Sequence, residues 1–200
     1  MTLFIKICGV STVEALEAAV AAGADAIGFV FHAPSPRDIS PSHAAELARR
    51  LPSGVLCVAV TRHPGQQLVD RILESLAPDV WQSDAIDFDA MRLPAGIERW
   101  PVLRKRPNPP EGSRRVLFES PHSGSGERAD WPTASVVART SELILGGGLD
   151  RTNISRAISA VRPFGVDVSS GVETAPGVKD ARRIREFIVR ARIADQGMPA

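Results

Sequence analysis

A thiol and a carboxylate, Cys8 and Glu119, close two short apolar runs, "FIKIC" at 4–8 and "RVLFE" at 115–119. Together they are a candidate base and acid for moving one proton off carbon and another onto oxygen. With ordinary pKa values of ~8.5 and ~4.3, neither group is ready for that task without help. The base needs the thiolate, which a nearby cation favours; the acid needs a protonated carboxyl, which burial favours. Side chains alternate along a strand, so Lys6 shares a face with Cys8 and would favour the thiolate. Asp167, in "GVDVSS" (165–170), is the expected partner of Lys6. A buried ion pair with no part in catalysis is the other reading of Lys6.

A second group of residues suits an anion. Gly146, Gly147 and Gly148 follow "SELIL", and Ser169, Ser170 and Gly171 follow "GVDV". Glycines expose backbone N–H groups with no side chain in the way, and the serines add two hydroxyls. Either triplet alone reads as a tight turn; on neighbouring strands they read as a phosphate cradle.

These residues need a scaffold that brings strand ends together. Along the chain, short apolar runs alternate with amphipathic stretches. Strands are expected at 4–8, 26–31, 55–60, 80–84, 101–105, 115–120, 141–145 and 165–170. Helices are expected after Ser11 or Thr12 up to Gly23, over 40–51, over 64–78, over 150–161 and at the C-terminus. Val13, Leu16 and Val20 line one face of the first; Ile154, Ala157, Ile158 and Val161 show the i, i+3, i+4, i+7 spacing of a core stripe. "RPNPPEGS", between the fifth and sixth strands, is too short and proline-rich for a helix.

Eight alternating units close most naturally into a (β/α)₈ barrel, of which 200 residues is the short end; an open doubly wound sheet is the alternative. Residues 1–200 read as one domain, with roughly 193–200 as a flexible tail. In a barrel the site is built at the C-terminal ends of the strands. That rule collects Cys8, Ser35, Arg37, Asp84, Arg104, Glu119 and the two cradle triplets.

Composition removes several function classes. Net charge is +1 with 24% charged residues of mixed sign, so no footprint for nucleic acid or an anionic membrane is expected. Basic residues cluster at 104–106 and from Arg182 to Arg192, and the latter set reads as a solvated helix face. Two cysteines, Cys8 and Cys57, give neither a disulfide framework nor a metal-ligand spacing, and Cys57, in mid-strand, reads as packing. No leader sequence and no apolar run of ~20 residues shows, so a cytoplasmic protein is expected. Its partner is expected to be a small phosphorylated molecule, with monomer and homodimer both open.

The segments "KICGV", "GADAIGFVFHAPSPRDIS", "GSGERADW", "LGGGL", "NISRAI" and "GVDVSSGVETAPGVKD" resemble the signatures of the phosphoribosylanthranilate isomerases. The resemblance runs from the first strand to the last helix. It implies a barrel of tryptophan biosynthesis that uses no metal or cofactor. Its reaction is an Amadori rearrangement of N-(5′-phosphoribosyl)anthranilate to the 1-deoxyribulose 5-phosphate derivative. Carried over, Cys8 is the general base and Glu119 the general acid. Arg37 and Gln82 bind substrate, Arg37 on the anthranilate side. Gly147, Gly148, Ser169, Ser170 and Gly171 bind the phosphate.

The chain departs from the family pattern at several points. Glutamate stands at 119 where the family has aspartate, which moves the carboxyl by over an ångström. Asp84 replaces a histidine and Ala85 a glycine, while Gln82 is kept. Gly146 stands where serine or alanine is common. The helix after the fifth strand is expected to be lost or reduced. A related barrel of histidine biosynthesis performs the same rearrangement, but has aspartate at the position of Cys8 and two similar halves; this chain has neither. A sugar-phosphate-binding barrel, non-catalytic or of altered specificity, is the remaining alternative.

Overall fold

The computed structural model describes residues 2–104, 108–122 and 124–197. Eight parallel strands close into a barrel in chain order: β1 (Phe4–Cys8), β2 (Ala26–Phe31), β3 (Leu56–Thr61), β4 (Val80–Asp84), β5 (Glu98–Leu103), β6 (Arg115–Phe118), β7 (Glu142–Leu145) and β8 (Gly165–Val168). The ring shuts where β8 pairs with β1, with Lys6 opposite Asp167. Around it run α1 (Val13–Ala21), α2 (Pro41–Ala48), α3 (Gln66–Ser75), α4 (Trp131–Val137), α5 (Ile154–Val161) and α6 (Ala181–Gln196). The open doubly wound sheet is thereby excluded.

Residue alternation sets the layers. Ile5, Ile7, Ile27, Phe29, Cys57, Ala59, Trp81 and Val166 pack outward against the helices. Ala26, Val58, Val80, Trp100, Val102, Leu117 and Ile144 fill the barrel interior. Cys57 therefore faces the helix layer as a packing residue, and burial pushes its thiol up to about 12. Phe4, Lys6 and Cys8 occupy the opposite phase of β1, which points into the barrel.

Local chemistry sets the helix starts. Thr12 caps α1 by accepting from the Ala15 amide at 3.2 Å, and Gly23, at φ +90°, turns the chain out of it. Ser40 caps α2, with Pro41 in the first turn, and Asp180 caps α6.

Four elements differ from the sequence expectation. After β4 the chain makes a 3₁₀ turn, Ala85–Asp89, that is not among the expected elements; β5 leads to β6 with no helix among the described residues, as expected. Lys105 and Arg106, part of the expected fifth strand and basic cluster, lie outside those residues. Helix α4 is not among the expected elements: seven residues with Pro132 and three β-branched side chains give no readable periodicity. The chain leaving Ser170 turns into a small hairpin, β9 (Glu173–Ala175) and β10 (Val178–Lys179), rather than into a helix. Finally, α6 continues to Gln196, four residues into the stretch read as a tail. Asp195 there accepts a 2.9 Å hydrogen bond from the Leu3 amide, which ties the last helix to the entry of β1.

Candidate active site

The C-terminal mouth of the barrel holds a cleft of about 640 Å³ lined by Cys8, Arg37, Gln82, Arg104, Glu119 and Asp167, among others. A smaller recess of about 40 Å³ adjoins it, lined by Gly126, Gly147, Gly148, Ser169 and Ser170. Glu119, Asp167, Ser169 and Ser170 border both. The expected proton-transfer groups and the expected cradle thus meet at one mouth.

Cys8 ends β1 opposite Gly28 of β2, and a Cβ on Gly28 would lie 3.1 Å from both the Cys8 Sγ and the Lys6 Nζ. Only glycine leaves that space to the two side chains. Lys6 is fully buried and donates to the Asp167 Oδ1 at 2.8 Å, the pairing expected from ring closure. Burial works against the lysine's charge, but Asp167 and Cys8 outweigh it and hold its pKa above the ordinary value. The thiol behaves otherwise than its neighbour suggested. Burial, with Asp167 adding to it, outweighs the help of Lys6 and Lys179, and the Cys8 pKa is raised. Lys6 therefore limits the rise rather than producing a resting thiolate.

Glu119 follows β6, its amide donating to the Leu103 carbonyl at 3.0 Å. Its Oε1 accepts from the Arg104 Nη2 at 2.9 Å. Arg104 also binds the Asp84 carboxylate through Nη1. Gln82 is 5% exposed, and its Oε1 has no hydrogen-bond partner among the described residues. A buried carbonyl oxygen left unmatched beside a cleft is an acceptor for a bound ligand's O–H or N–H.

Arg37 reaches the mouth from the loop after β2. Its Nε and Nη2 hold the two oxygens of Glu173 at 2.7 and 2.8 Å, a bidentate pair buried on both sides. Glu173 also takes the Lys179 Nζ at 2.5 Å. Burial opposes the Glu173 charge, but Arg37 and Lys179 prevail and its pKa is lowered. Lys179 continues to the Ser169 Oγ at 3.2 Å, and that hydroxyl donates to the Cys8 carbonyl at 3.0 Å. Glu173 and Lys179 lie in a segment already singled out by pattern, yet their roles are not legible there. Arg37 and Glu173 are 136 positions apart, and a single sequence carries no signal of such a pairing.

In the recess, Gly147 and Gly148 have φ of +78° and +62°, open to glycine at no steric cost. A Cβ on Gly147 would lie 2.6 Å from the Ser120 amide nitrogen, and one on Gly148 2.7 Å from the Gly126 carbonyl oxygen. The 126–129 segment therefore closes directly over this turn. Gly171 does not line the recess; a Cβ there would meet the Leu149 carbonyl oxygen at 1.9 Å, so it lets the two loops approach. Gly146, by contrast, has room for a Cβ, with its nearest neighbours at 3.6 Å.

The sequence profile of "N-(5′phosphoribosyl)anthranilate (PRA) isomerase" matches residues 5–190. An N-(5′-phosphoribosyl)anthranilate isomerase of Pelobacter propionicus is 39% identical over 196 residues, covering 92% of this chain and 93% of its own. One from Streptococcus pneumoniae is 40% identical over 191 residues, covering 94% and 95%. Among solved structures, the phosphoribosyl anthranilate isomerase of Thermus thermophilus superposes with a TM-score of 0.82 at 29% identity, covering 94% and 98%. Another, in complex with reduced 1-(o-carboxyphenylamino)-1-deoxyribulose 5-phosphate, gives 0.73 at 30% identity over 94% and 98%. Profile, relatives and barrel agree from the first strand to the last helix, and the chain belongs to the N-(5′-phosphoribosyl)anthranilate isomerase family.

Proposed function

We propose that this chain isomerises N-(5′-phosphoribosyl)anthranilate to 1-(2-carboxyphenylamino)-1-deoxyribulose 5-phosphate. The observation that carries the reading is the meeting of Cys8 and Glu119 in one cleft, beside a glycine- and serine-lined recess, in a chain of this family. The recess takes the phosphate: Gly147, Gly148, Ser169 and Ser170 line it, and Gly171 fixes the approach of its two loops. Arg37 and Gln82 hold the remainder of the substrate, Gln82 through its unmatched Oε1.

The chemistry follows in two proton transfers. Glu119 gives its proton to the furanose ring oxygen; the C1–O bond breaks as the aniline nitrogen lone pair forms a protonated Schiff base. That cation acidifies the hydrogen on C2. Cys8, as thiolate, removes it, and the electron pair forms the enolamine, which tautomerises to the ketone. No electrons leave the substrate, so these steps need no oxidant or reductant, and Glu119 and Cys8 supply both proton transfers. The burial of Cys8 strengthens the attraction between thiolate and Schiff base as each forms.

Purified protein mixed with phosphoribosylanthranilate is expected to remove the substrate's fluorescence far faster than the uncatalysed reaction. Phosphate-ligand binding without turnover would replace this reading with that of a binding protein. No helix among the described residues is long and apolar enough to cross a membrane, which suits an enzyme acting in the cytoplasm. A relative from Thermotoga maritima is described as dimeric, and for this chain monomer and homodimer are the two assemblies proposed.

A further inference from the structure

Two of the positions at which this chain departs from its family's pattern, Asp84 at the end of β4 and Glu119 just after β6, grip the same guanidinium. Arg104 binds Asp84 through Nη1 and the Glu119 Oε1 through Nη2, with all three side chains less than one-fifth exposed. Asp84 is held in turn. The His63 Nε2 stands 3.3 Å from its Oδ2 and the Arg62 Nε 3.8 Å away. His63 is braced by Asp87, whose Oδ1 lies 2.8 Å from its Nδ1 and whose Oδ2 takes the His63 amide at 3.0 Å. Asp87 accepts from the Ser83 Oγ at 2.5 Å. A chain of charge-assisted contacts thus crosses the ends of β3, β4 and β5 and terminates on the Glu119 carboxyl.

The physical need for such a chain lies in the length of glutamate. It has one more rotatable bond than aspartate, so its carboxyl must be fixed from outside if it is to meet one ring oxygen. We infer that Arg104, anchored by Asp84, is a positioning residue that orients the Glu119 carboxyl for proton transfer. His63, Arg62 and Asp87 act one step further back, by keeping Asp84 in place. The cluster of His63, Asp84 and Asp87 also has the spacing of a cation site, but Arg62 and Arg104 on Asp84 fill that role with protein charge.

The inference rests on the proposed isomerase reading, and its test separates the two. In the full-length enzyme, Asp84→Asn is expected to lower kcat about tenfold, with KM within about twofold. In a Glu119→Asp background the same substitution should change kcat less than about threefold, since the shorter side chain no longer depends on the clamp. Arg104→Met removes the cation itself, so the acidic limb of the pH–rate profile should move up by about half a pH unit or more. A carbon-13 titration of the Glu119 carboxyl, assigned by its loss in Glu119→Gln, reads the contact without turnover; its midpoint should rise in Arg104→Met. If the wild type turns nothing over, the isomerase reading fails, and the titration still decides whether Arg104 holds Glu119. If Asp84→Asn does not fold, Arg104→Lys takes its place with the same expectations for kcat. An unmoved carboxyl midpoint in Arg104→Met, or equal losses of kcat on Asp84→Asn in the wild-type and Glu119→Asp backgrounds, would overturn the inference.

Discussion

The two mouths of the barrel use buried charge in opposite ways. At the N-terminal mouth, the Arg115 guanidinium lies 5.2, 5.2 and 4.5 Å from the ring centres of Phe4, Trp100 and Phe164. Its charge is matched by Glu142 at 2.8 Å, and Phe164 stacks on Phe4. Aromatic faces and two carboxylates absorb the cation, the second being Glu98 with its Oε2 3.8 Å from Nη1. At the C-terminal mouth, Lys6, Arg37, Arg104 and Lys179 are also paired, yet their partners border open space, with the Gln82 Oε1 left unmatched among the described residues. A mouth whose charges are covered contributes stability; a mouth whose charges face a cavity contributes chemistry.

Cys8→Ala tests the active end most severely. Turnover is expected to fall by about 10³-fold while a phosphate-bearing product analogue still binds, because the thiolate acts on the transition state. An unchanged kcat would remove Cys8 as the base and erase the contrast. Next comes Glu119→Gln, with an expected loss of about 10²-fold, against a much smaller loss for Glu119→Asp. Equal activity in the Glu119→Gln variant and the wild type would remove Glu119 as the acid.

Arg115→Ala should do the reverse. It removes the ring contacts and one of the two arginines on Glu142, at an expected cost of about 3 kcal/mol. In a chain of this size that is a fall in melting temperature of roughly 10 °C. The kcat of the molecules still folded should be unchanged, and a kcat defect at permissive temperature would show that the mouths are not separable.

The subtlest test is the pH profile. The proposed mechanism needs Glu119 protonated and Cys8 ionised, so it predicts a productive fraction that is flat between their two pKa values and falls outside them. Burial raises the Cys8 pKa, so the alkaline limb should lie above the ordinary thiol value. Lys6→Met removes a cation that lowers the thiol pKa and should push this limb higher still. An alkaline limb left in place by Lys6→Met would make the lysine a structural ion pair only.

How much of this is legible in the sequence depends on whether the signal is local. The stripe Ile154, Ala157, Ile158, Val161 announces α5, and the near-continuous apolar run of β2, buried throughout, announces a strand covered on both faces. Lys6 and Asp167 can be paired from strand alternation and ring closure. Glycines and serines mark the cradle, although Gly171 proves to be a spacing residue between loops. Short elements leave no periodic trace: α4, the 3₁₀ turn after β4 and the β9–β10 hairpin. Nor can the sequence show that Arg104 joins Asp84 to Glu119, because each is ordinary alone and the meaning lies in their shared geometry.

The contacts around Cys8 also bear on how the enzyme assembles. Lys6 reaches Asp167, and the Cys8 carbonyl reaches Ser169, across 161 positions in each case. Contacts of such long range form late, since the intervening chain must first surrender its freedom. The Cys8 thiol therefore acquires its surroundings only when the last strand docks beside the first. In refolding, the return of turnover should trail the return of helical signal and time the final closure of the ring.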